Sequence, residues 1–121
     1  MISIEIVLAI YQTILENEPG LKGIPDIGKL ESALSRIDNW ILYENTNDIF
    51  DIAALYAIAL TKAHAFPDGN KRTALVTMLT YLDLQGIDIP PNHGLDDTMV
   101  DVASGKLNLF SLSHHLQQLI K

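Results

Sequence analysis

Nine consecutive residues, His64 to Arg72, combine an imidazole, a carboxylate, a glycine, an amide and two cations. An imidazole is the one side chain that ordinarily exchanges its proton near neutral pH, so His64 can take a proton from an attacking hydroxyl. Asp68 is the only carboxylate in the segment. Mg²⁺ prefers one or two carboxylates together with phosphate and water, so Asp68 could hold the ion against phosphate oxygens; it could equally cap the helix that follows. Gly69 permits close backbone approach, and Asp68-Gly69-Asn70 is a turn signal directly ahead of an apolar helical run. A helix start offers unpaired N–H groups to an anion. Lys71 and Arg72 in that first turn oppose the helix dipole by a few tenths of a kcal/mol, about what a bound polyanion would reverse. Phe66 is expected to point into the core and anchor the loop, with Pro67 stiffening it. The chemistry these types allow is transfer of a phosphate-containing group to a hydroxyl.

The rest of the chain must hold that segment in place. Apolar spacing predicts helices over residues 3–17, 27–38, 48–64, 70–85, 95–104 and 109–120. The connector from Leu21 to Pro25 separates the first two. The third helix is apolar nearly all round and is expected at the centre, while Gly86 and Gly105 mark helix ends. Across 38–47 the alternation of Trp40 and Leu42 with Ile41 and Tyr43 suggests a short extended flap. An exposed flap edge could pair with an extended target segment, making Trp40 and Tyr43 candidate docking residues; packing as a satellite core is the competing expectation. Asp26 and Glu31 are expected to cap and start the second helix. The fold class is all-α: a single domain over 1–121 of about six helices, with almost no strand.

Composition narrows the function. The chain has 121 residues, a formal charge of −7 and no Cys. Its 48% hydrophobic and 19% charged residues are those of a folding chain. With only eight basic residues, a broad nucleic-acid surface is not expected. The lack of Cys fits a reducing cytosol, and the opening residues resemble neither a signal peptide nor a membrane span, so a cytoplasmic location is expected. His93, His114 and His115 lack metal-ligand spacing, and no P-loop pattern occurs.

His-x-Phe-x-Asp-Gly-Asn-Lys-Arg resembles the Fic/Doc family signature, in the form that its Doc branch carries, with Lys71 where Fic proteins have Gly. The stretch Gly23–Leu34, Thr73–Leu75 and Gly105–Leu107 are also similar to Doc-like chains, so the resemblance covers almost the whole sequence. It implies a helical fold and transfer from a nucleotide to a protein hydroxyl. His64 matches the base, Asp68 the metal-holding acid, and Asn70 and Arg72 the phosphate-contacting positions. A Lys at position 71 goes with a reversed nucleotide pose and γ-phosphate transfer from ATP with Mg²⁺. The implied acceptor is a Ser or Thr of a translation factor, elongation factor Tu in the Doc branch. The resemblance further implies a toxin neutralised by a small antitoxin chain lying over the cleft. The inhibitory helix motif of many Fic proteins is missing from the sequence: four residues before Glu16 and Glu44 stand Gln12 and Trp40. Two alternatives stay open: nucleotidyl transfer such as AMP addition, and a non-catalytic helical module that only binds its partner.

Overall fold

A computed structural model describes residues 2–18, 23–91 and 93–120. Six helices follow one another: α1 Ile4–Asn17, α2 Ile27–Glu44, α3 Ile49–Ala63, α4 Asn70–Leu84, α5 Leu95–Ala103 and α6 Leu109–Leu119. No strand occurs among the described residues. Part of the expected 21–25 connector lies outside them.

Four of the six helix starts are set by side chains. Ser3, Asp26, Asp48 and Asn108 cap α1, α2, α3 and α6 by accepting first-turn N–H bonds. The chain leaves α4 as the sequence suggests: Gly86 sits at φ 83°, and the Ile87 N–H donates to the Leu82 carbonyl at 2.9 Å.

α3 is the central element, packed against α2, α4, α5 and α6. Its buried residues are Ile52, Ala53, Ala54, Tyr56, Ala57, Leu60 and Thr61. The alanines let neighbouring helices approach closely, and the larger Tyr56, Leu60 and Ile52 fill the gaps between them. Tyr56 also accepts the Ile2 N–H at 3.0 Å through its hydroxyl, fixing the chain's start to the centre. One hydrophobic cluster draws on all six helices and on Ala65 and Phe66 of the motif loop.

The extended flap is not present. Residues 38–44 continue α2, which runs for 18 residues. Alternating residues over so short a stretch satisfy the helical period as well. Leu30, Ala33, Ile37 and Ile41 recur at three and four residues, and no Pro or Gly interrupts them. A lone extended segment would also lack a partner for its backbone, whereas the helix pairs those groups internally. The helix stops at Asn45, which adopts the left-handed conformation at φ 50°. Only residues 45–48 connect it to α3. Trp40 is half-buried, and Tyr43 is 88% exposed on the outer end of the helix.

Gly23 braces the motif loop from outside. It adopts φ 128°, and a Cβ there would lie 2.8 Å from the Pro67 Cβ and nearer still to its Cγ. Gly23→Ala is therefore expected to cost about 1–3 kcal/mol through left-handed strain and overpacking, measured by chemical denaturation. An unchanged midpoint would show that the two loops are not in register.

Candidate active site

The site lies where α3 ends and α4 begins. α3 closes on His64, whose φ of 49° and ψ of 43° place it in the left-handed region. Non-glycine residues take this conformation rarely, His and Asn more readily than most, and it turns the chain sharply into the loop. His64 is exposed, in contrast to the buried helix-end histidine that an apolar run would accommodate.

The loop is then pinned from three sides. Phe66 is 4% exposed and stacks on Tyr11 of α1, with ring centroids 4.2 Å apart. The Ala65 carbonyl accepts the Asp26 N–H at 2.6 Å, joining the loop to the start of α2. Asn70 reaches back four residues: its Oδ1 accepts the Phe66 N–H at 3.1 Å and its Nδ2 donates to the Phe66 carbonyl at 2.8 Å. Asn70 thus braces the loop with both ends of its amide, leaving one N–H of Nδ2 for anything in the cleft.

Gly69, at φ 78°, is the N-cap of α4 and supplies no side-chain bond. Asp68 does not cap the helix either, for its Oδ1 accepts the N–H of Gly69 at 2.7 Å, outside the first helical turn. The first turn holds no acidic residue. Its N–H groups, its partial positive charge and two cations are consequently offered to an external anion.

These residues line a single cleft of about 310 Å³: His64, Asp68, Gly69, Asn70, Lys71 and Arg72, together with Thr61 and Ala103. An imidazole and a cationic helix start share open space, which is the arrangement that group transfer to a hydroxyl needs. Lys71 is exposed, and no ion pair or hydrogen bond engages its side chain among the described residues. Arg72 is held differently. Its Nη1 lies 3.1 Å from Asp96 Oδ1 and its Nε 3.5 Å from Glu18 Oε1. The Arg72 side chain is 49% exposed and its partners 41% and 67%, so each pair is worth only about 0–1 kcal/mol. A phosphate can compete for the guanidinium, and Nη2 is already unengaged.

Asp68 is the only carboxylate in the cleft, and no cluster of three or more His, Cys, Asp or Glu able to hold a metal exists among the described residues. The protein by itself therefore offers a hard cation one carboxylate. That fits Mg²⁺ arriving with a nucleotide's phosphates and does not fit a resident metal centre. Asp68 also acts on Tyr11, whose hydroxyl is pushed up from its ordinary pKa first by burial and then by the Asp68 charge. Tyr11 stays protonated, a buried donor with no hydrogen-bond partner among the described residues.

Sequence reasoning missed two lining residues and both partners of Arg72. Thr61 stands three residues before His64, one helical turn back, and its buried Oγ1 has no hydrogen-bond partner among the described residues. That spacing was a usable signal. Ala103, Glu18 and Asp96 come from distant positions and gave none. Trp40 and Tyr43 do not line the cleft.

The Fic/DOC family pattern matches residues 1–82. Protein kinase doc of Escherichia phage P1 is 32% identical over 118 residues, spanning 98% of this chain and 94% of its own. Toxin Doc of Mycolicibacterium smegmatis is 30% identical over 97 residues, 77% of this chain and 75% of its own. The chain belongs to the Fic/DOC family.

Proposed function

We propose that this protein is a Doc-type toxin that transfers the γ-phosphate of ATP to a Ser or Thr hydroxyl of a translation factor, elongation factor Tu being the acceptor that the family resemblance suggests. The observation that carries the reading is the shared cleft, in which exposed His64 meets unpaired Lys71 and the uncapped start of α4. The kinase name of the phage P1 relative supports the reaction class, and the name of the mycobacterial relative supports the toxin role. No helix among the described residues is long and apolar enough to cross a membrane.

In this reading the N–H groups of the α4 first turn, Lys71 and the guanidinium of Arg72 bind and orient the nucleotide's phosphates. Gly69 lets those oxygens approach the backbone. Asp68 would hold Mg²⁺, which supplies charge neutralisation on the phosphates when bound. His64 accepts the acceptor hydroxyl's proton as the acceptor oxygen bonds to the γ-phosphorus. The bond from that phosphorus to the bridging oxygen breaks, ADP leaves with the electron pair, and the proton passes from the imidazole to solvent. Asn70 keeps the loop closed on Phe66, holding His64 and the helix start at fixed separation.

Control by an antitoxin follows from the same surface. A groove of about 530 Å³ runs between α1 and α4, walled by Ile6, Ile10, Ile14 and Val76, and it ends on Glu18 and Arg72. An apolar antitoxin segment lying there reaches the ion pairs that position Arg72 and covers the mouth of the nucleotide cleft.

The test is incubation of purified protein and a cell lysate with ATP labelled at either the γ- or the α-phosphate. Label entering a protein from the γ position alone is expected. Label from the α position would establish nucleotidyl transfer in its place. Lys71→Gly should lower γ-transfer by about 10- to 100-fold, because it removes one positioned donor to the phosphates. It also clears bulk from the helix start, so α-label should appear in the same assay. Unchanged product and rate would remove Lys71 from the phosphate site.

A further inference from the structure

Most cations of this acidic chain gather at two places. Lys71 and Arg72 serve the nucleotide cleft, and three of the other basic residues, Lys29, Arg36 and Lys62, line one open hollow of about 500 Å³ between α2 and α3. Chance placement on a surface of net charge −7, with 15 acidic side chains available, would be expected to pair some of them. None is paired: both ion pairs among the described residues belong to Arg72. The single carboxylate in the hollow, Asp26, is occupied as the cap of α2, its Oδ1 accepting the Lys29 N–H at 3.0 Å. Three like charges around one hollow repel one another, and a local cost of this kind is relieved by an external anion.

The hollow adjoins the reacting centre. Ala63, in its wall, directly precedes His64, and Asp26, also in its wall, bonds the Ala65 carbonyl. His64 itself lines the nucleotide cleft. The imidazole therefore stands at the border between a site for nucleotide phosphates and a second, separate cationic site. A protein presenting its hydroxyl to His64 while ATP fills the cleft has the second site open beside that hydroxyl.

We propose that the hollow walled by Lys29, Arg36 and Lys62 docks a short acidic stretch of the protein acceptor beside the hydroxyl delivered to His64. The proposal rests on the phosphate-transfer reading and names the kind of segment that its acceptor carries. Lys29, Ser32 and Arg36 recur at three and four residues on one face of α2, and the two cations are separated along the axis by about 10.5 Å. A chain in the extended polyproline II form advances about 3.1 Å per residue with three residues per turn, so side chains three apart share a face. The matching segment thus presents carboxylates about three residues apart, with the Ser32 hydroxyl available between them. A nucleic acid is a poor match, because its binding needs many phosphate contacts and the surrounding surface is acidic.

Two measurements test this, using the full chain and the triple variant Lys29→Gln/Arg36→Gln/Lys62→Gln. All three side chains are exposed, so the fold is kept. First, a fluorescent acidic peptide with carboxylates three residues apart is titrated against both proteins. Native protein should bind it with an affinity that falls as salt rises, and the variant should bind at least about tenfold more weakly. Second, with the acceptor labelled in lysate and then purified, the variant should show an acceptor KM raised about tenfold, with kcat and the KM for ATP unchanged. Lys62→Arg should behave as native, and so should Lys106→Gln, which alters a cation outside the hollow. A peptide that native protein ignores, or binds as well as the variant does, overturns the proposal. An unchanged acceptor KM does the same, as does an oligonucleotide that binds in the peptide's place. If native protein labels no protein at all, the transfer reading falls instead, and the peptide titration still decides the hollow.

Discussion

Replacement of His64 by Asn is expected to lower transfer to the protein acceptor by about 10²- to 10⁴-fold, the usual contribution of a positioned general base. Asn is the informative substitute because His64 occupies the left-handed region at φ 49°, where Asn is also comfortable and Ala is not. The native side chain is exposed and makes no hydrogen bond among the described residues. The unfolding midpoint should accordingly stay within about 2 °C of native, as for a surface change of under half a kcal/mol. Nucleotide binding should survive, since Lys71, Arg72 and the α4 start are untouched. In cells, induced expression of His64→Asn should no longer arrest growth. A growth arrest as strong as that of the native chain would point to a helical module that acts by binding alone, and it would end the proposal that this imidazole carries the chemistry.

Much of the site was legible because its residues are contiguous. The cleft is lined largely by His64 and Asp68 to Arg72, and a turn between two helices brings contiguous side chains to one opening. The helices were legible for a related reason: each carries an apolar stripe that must be buried, and Asp26 and Gly86 mark ends by local chemistry. What escaped were interactions that join distant positions or compete within a few residues. Arg72 meets Asp96, 24 residues away, and no local pattern announces that pairing. Asn70, which the resemblance matches to a phosphate-contacting position, also closes its amide on the backbone of Phe66, four residues upstream, a second role that the resemblance did not announce. The flap was misread at Trp40 to Tyr43 because four alternating residues fit both periods. The arbiter is continuity with the α2 stripe at Ile37 and Ile41.

Phe66→Ala should be the most destabilising single change in the motif. The ring is 4% exposed, belongs to the core cluster and stacks on Tyr11 with the planes 23° apart. Truncating a buried phenylalanine costs about 3–5 kcal/mol, part of it from the cavity left behind. For a chain of this length that corresponds to a fall in Tm of about 10 °C or more. The loss is also functional. Asn70 grips the N–H and the carbonyl of Phe66, so once the ring no longer seats the backbone, the bond that spaces His64 from the start of α4 loses its anchor. Transfer activity should fall even at temperatures where the variant is fully folded, which separates it from His64→Asn, where Tm holds and only turnover drops. Phe66→Leu should recover most of the stability, because it refills much of the volume, and part of the activity. Thermal unfolding alongside transfer assays of the three variants decides the matter. A Phe66→Ala protein that melts within about 3 °C of native would mean that the ring contributes under about one kcal/mol, and the loop would then owe its position to Asn70 and Gly23 instead.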